Sequence, residues 1–131
     1  MSRGPPSRRA RAEAIPIARH RGTIQMAAHG QENLFDFTIV SSLPVAFVRV
    51  SYCARIHAPV AEIFNEFPET LIRLGRIARH DAISRELWLR SRHGSWRFFR
   101  LMEQYLLELG RDGLPLPGEI PAGLQPVGEV G

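Results

Sequence analysis

Asp36 is the residue of this chain best suited to chemistry. It stands at the head of a β-branched and aromatic run, Leu34-Phe35-Asp36-Phe37-Thr38-Ile39-Val40. A carboxylate in that position can hold a hard cation against a phosphate oxygen. Hydrolysis there also needs further oxygen ligands and a positive group beside the developing charge. The next hydrophobic run, Phe47-Val48-Arg49-Val50-Ser51, places Arg49 and Ser51 where those groups would be sought. Arginine does not ligate cations, and serine carries no charge. Glu13 and Glu32 are the other acids nearby in sequence, and spacing alone does not bring them to Asp36. No metal site is therefore assigned.

The second constellation is the stretch from Ile83 to Leu101, which interleaves both tryptophans with arginines. Side chains alternate along a strand, so Glu86, Trp88 and Arg90 share one side and Leu87 and Leu89 the other. Trp96, Phe98 and Arg100 likewise oppose Arg97, Phe99 and Leu101. Apolar groups on both sides fit an inner strand pair, with the aromatics packed across strands. Guanidinium and indole faces also suit phosphate contact and base stacking. Arg90, Arg92, Arg97, Arg100 and Trp96, with Arg49, are the candidate nucleic-acid contacts.

Charge is unevenly distributed. All seventeen basic residues are arginine, and the formal net charge is +4. Arginines at 3, 8, 9, 11, 19 and 21 face only Glu13 in the first part of the chain. Such an arm adds non-specific phosphate affinity by counterion release. The five histidines form no pair at metal-ligand spacing, and Cys53 is the only cysteine. No zinc site is expected, and no intrachain disulfide is possible. Cys53 reads as a buried, inert thiol in a strand. No apolar leader or membrane-length run stands in the sequence, so a cytoplasmic location without membrane contact is expected.

The elements that must hold these residues follow from periodicity. Residues 1–22 read as a basic, mostly disordered arm, with a short helix at 13–19 interrupted by Pro16. Strands are expected at 23–28, 34–40, 45–56, 83–91, 96–102 and 105–109. Val60, Ile63, Phe64, Phe67, Leu71, Leu74 and Ile77 recur at three- and four-residue steps, predicting one long helix kinked by Pro68. Residues 113–131 read as a Pro/Gly-rich flexible tail. The whole is a single α+β (or α/β) domain over 23–112, a small mixed sheet packed by that helix.

This order resembles the PD-(D/E)XK, restriction-endonuclease-like superfamily over roughly residues 13–91. The likeness lies in topology and in Asp36; Arg49-Val50-Ser51 stands where that family carries Glu-x-Lys. The resemblance implies a degenerate nuclease-like core that binds nucleic acid, with no cofactor unless hydrolysis survives, in which case Mg²⁺ is required and Asp36 is catalytic. The other reading of the residues is a module that docks a protein partner, or a second copy of itself, through the sheet edge or the Trp/Phe/Arg ribbon.

Overall fold

The computed structural model describes residues 4–41 and 44–117, with side chains from Arg8 onward. Helix α1 spans Gly4–Arg19. Strands β1 (Thr23–Met26), β2 (Phe37–Val40) and β3 (Val45–Tyr52) follow, then short helices α2 (Val60–Glu66) and α3 (Pro68–Leu74). Strands β4 (Ile83–Arg90), β5 (Trp96–Leu101) and β6 (Leu106–Leu109) complete the order. The fold is a mixed α+β one, a six-stranded sheet whose spatial order is the chain order. Neighbours are antiparallel except β3 and β4, which run parallel from Val45↔Ile83 to Tyr52↔Arg90. That exception follows from the connection: a parallel pair needs a long crossover, and α2 with α3 supplies it.

Two expectations are corrected. The basic arm is helical rather than disordered. Ala10, Ala14 and Ala18 recur every fourth residue and are fully buried against the sheet. Small side chains at that spacing let the helix backbone approach β3 closely, while Arg8, Arg9, Arg11 and Arg19 face solvent. Pro16 lies inside α1 on an exposed position. An internal proline costs a helix about 3 kcal/mol, which tertiary burial of the alanine stripe offsets. The expected long kinked helix is two short ones. Phe67, at φ −123° and ψ 54°, breaks the backbone, and Pro68 opens α3 at its first position.

The sheet separates two apolar layers. On one side α1 covers Phe37, Ile39, Val48, Val50, Trp88 and Phe98. On the other, Ile63, Leu71 and Leu74 cover Leu87, Leu89 and Phe99. The ribbon aromatics are therefore core: Trp88 meets Phe37 and Phe98 edge to face, at 5.7 and 4.9 Å between ring centres. Cys53, just past the end of β3, is buried, and burial pushes its thiol pKa up. Of the expected tail, residues 118–131 lie outside the described residues. Residues 113–117 fold back on β6, with a bridge between Leu109 and Pro115. Among the described residues, no helix is long and apolar enough to cross a membrane.

Candidate functional site

The strand pairing brings Asp36 and Arg49 together. Asp36 is 9 % exposed. Its Oδ2 accepts the Val50 N–H at 2.7 Å and its Oδ1 accepts Arg49 Nη1 at 3.1 Å. The same Nη1 donates to the Glu32 carbonyl at 2.7 Å. Burial raises the Asp36 pKa, outweighing the Val50 N–H and the Arg49 charge. Both carboxylate oxygens are thus engaged, one of them by a cation. Neither of the other acids joins them. Glu13 sits on α1 against Arg90, and a Glu32 oxygen accepts the Gly30 N–H at 2.7 Å. Among the described residues, no cluster of three or more His, Cys, Asp or Glu side chains is placed to hold a metal ion.

Most ribbon arginines are tied internally. Arg90 makes a two-pronged contact with Glu13 at 2.7 and 3.0 Å. Arg97 grips Glu108 the same way, at 2.8 and 2.7 Å, and donates to the Ile56 and Ala58 carbonyls. Arg100 donates to Ser84 Oγ at 2.8 Å. Trp96 is half-buried and stacks on Phe98 at 5.9 Å. These groups hold the sheet to its flanking elements, so their alternation along the strands does not make them a phosphate-facing row.

Sequence reasoning missed the largest polar network. Glu86 is fully buried on the α1 side of β4. It accepts both Arg21 prongs at 2.9 and 3.0 Å, the Ser84 hydroxyl at 2.7 Å and Trp88 Nε1 at 2.9 Å. Gly113, at φ +85°, lets the 110–114 turn close over this site; a Cβ there would stand 2.5 Å from Arg21 Cζ. The available signal was a lone acid on the same side of a strand as a tryptophan.

Several exposed cations stand at one end of the sheet, while Arg19 and Arg76 are exposed elsewhere. Glu13 contacts Arg90 and Arg21 contacts Glu86, so α1 runs antiparallel to β4. The spans agree: eight residues of helix rise about 12 Å and four of strand about 13 Å. The start of α1 therefore points past the carboxyl ends of β3 and β4. Arg11 lies close enough there to act on the Asp36 charge. At the same end β3 turns toward α2 while β4 turns toward β5, and the divergence of the two chains opens a hollow of about 690 Å³. Its lining includes Tyr52, Arg55, His57, Ser91, Arg92 and His93, and no carboxylate among the described residues. Arg92 is exposed and has no ion-pair or hydrogen-bond partner among the described residues, as is true of Arg8 and Arg9. Arg55 pairs with Glu62, both well exposed, a contact worth at most about 1 kcal/mol. Of the expected contacts, only Arg92 belongs to this hollow. Arg55, His57 and His93 join it because the parallel register places Tyr52 opposite Arg90.

Compared with protein families, with curated proteins and with solved structures, the chain matches none.

Proposed function

We propose that this protein binds nucleic acid through its phosphates, at the sheet end where β3 and β4 finish. The observation that carries the reading is a hollow lined by Arg55, Arg92, His57 and His93, with no carboxylate in its lining among the described residues, at the sheet end toward which the start of α1 points with the exposed Arg8, Arg9 and Arg11. Crevices outside the carboxyl ends of parallel strands are where open α/β sheets take ligands. Guanidinium groups recognise phosphate by paired, charge-assisted hydrogen bonds, and imidazole N–H groups donate as well. Contacts of this kind position a backbone without reading its sequence.

The placement of Asp36 beside Arg49 supports a degenerate nuclease-like core. A cation stands next to the acid where a second metal carboxylate is needed, so a divalent ion has to displace Arg49 to reach Asp36. Binding without hydrolysis is the outcome expected of that arrangement.

Fluorescence anisotropy with a labelled duplex over a salt series tests the proposal. The four exposed guanidiniums outside ion pairs, Arg8, Arg9, Arg11 and Arg92, correspond to a slope of log K against log salt of about −3 to −4. Arg92→Ala should flatten the slope by about one. Binding that ignores salt, or no binding, removes the reading. A supercoiled-plasmid assay with Mg²⁺, compared with Asp36→Ala, tests hydrolysis separately.

One observation favours a second reading, docking at the sheet edge. Strand β1 is outermost, and Met26 and Val40 beside it are exposed. An open edge can accept a strand from another chain. A concentration-dependent mass that Met26→Pro abolishes, by removing an outward edge N–H, is the corresponding result.

A further inference from the structure

At the opposite end of the parallel pair, Arg85 is 7 % exposed on the α3 side of β4. Every other well-buried arginine in the sheet has an acid or a short polar contact. Among the described residues Arg85 has neither: it donates only to the Ile77 and Leu101 carbonyls, each at 3.4 Å. Those distances lie at the outer limit of hydrogen bonding. Burial lowers its pKa, and so does Arg79, a like charge acting on it. A guanidinium withdrawn from water without an anion is a costly arrangement.

The group forms part of the wall of two adjoining hollows. The first, about 540 Å³, is chiefly apolar, with Phe64, Pro68, Leu71, Ile72 and Met102 along it. Its volume lies within the roughly 300–1,000 Å³ of small-molecule sites. Ile72 is 59 % exposed, so the apolar lining continues to the surface. The acid at its rim, Glu103, is paired with Arg79 at 2.9 Å.

We infer that this hollow binds an amphipathic monocarboxylate, such as a medium-chain fatty acid. The carboxylate pairs with Arg85, and the tail lies along Phe64, Leu71, Ile72 and Met102. A carboxylate supplies the anion that the fold omits and accepts two parallel N–H bonds. The tail covers apolar surface that α3 leaves open. This site is remote from the phosphate hollow and stands independently of it.

Calorimetry with decanoate, decanol and acetate tests the inference on the full chain. Decanoate should bind roughly tenfold or more tighter than decanol, the return expected for a charge-assisted pair, and acetate should not bind measurably. Arg85→Met should erase the preference for decanoate over decanol without lowering Tm. Should that variant fail to fold, Ile72→Glu decides: on the exposed rim it should weaken decanoate about tenfold while leaving Tm unchanged. Equal affinity for decanoate and decanol, no decanoate binding, or no response to either substitution overturns the proposal.

Discussion

Arg97 and Arg92 belong to one hairpin, yet they have opposite circumstances. Arg97 holds Glu108 and two carbonyls from the β3–α2 loop. Arg92, in the turn, holds nothing among the described residues. The contrast extends to the whole molecule. Within the sheet, arginine acts as a cross-link: Arg21 to Glu86, Arg90 to Glu13, Arg97 to Glu108 and Arg49 to Asp36. At the sheet end Arg92 has no acid among the described residues, and Arg55 has only the exposed Glu62. A burial requirement explains the first group, because a guanidinium inside the fold needs its donors met. The second group meets no such requirement and is available to a ligand.

The sharpest way to break the comparison is to remove a cross-link. Glu86→Ala leaves Arg21, Ser84 and Trp88 Nε1 without their acceptor. The expected loss is about 3–5 kcal/mol in denaturant unfolding, since an uncompensated buried charge remains. A loss below 1 kcal/mol would show that water replaces the carboxylate and that the network is not structural.

Arg97→Met ranks next. It orphans Glu108 and frees the Ile56 and Ala58 carbonyls, for an expected cost of about 2–3 kcal/mol. Affinity for duplex should not change at temperatures where the variant is folded. If affinity falls with stability intact, Arg97 contacts phosphate and the division between the two groups collapses.

The reverse pattern is expected at the sheet end. Arg55→Glu with Arg92→Glu should lower duplex affinity by about tenfold or more at low salt. Stability should stay within about 0.5 kcal/mol, as for other surface changes. Unfolding that accompanies the double change points to a structural role for the hollow.

The smallest effect concerns Asp36, the buried acid of the Arg49 cross-link. Its folded-state pKa is raised above 3.8 by burial, so the native state binds the proton more tightly than the unfolded one. Stability contributed by that proton is present below about pH 4 and is lost as pH rises through the folded value. Asp36→Asn should therefore remove a shallow fall in stability just above pH 4. An unchanged pH profile means that Arg49 and the Val50 N–H cancel the burial.

Much of the fold was legible because strands and helices carry local periodicity. All six strands fall within the runs expected of them, β2 and β3 being shorter than expected, and the face assignments around Trp88 and Phe99 agree with the two core layers. The N-terminal helix was obscured by composition. Arginine and proline suggested a solvated arm, while the signal for packing lay in three alanines four residues apart. Likewise Pro68 announced a disturbance, but a break into two helices depends on the Phe67 backbone.

The candidate site was less legible. Asp36 and Arg49 were singled out by type, and pairing of β2 with β3 joined them. Arg55, His57 and His93 carry no motif, and they meet only across the parallel register of β3 and β4. Their grouping is a long-range fact with no local signature.

By itself, then, the sequence determined the strands, the apolar faces and the excess of arginine, because these depend on side-chain period and type. The tertiary structure alone decided which guanidiniums found an acid. Charge pairing depends on which strands become neighbours and in which direction they run, and that is fixed only when the sheet assembles and α1 docks on it.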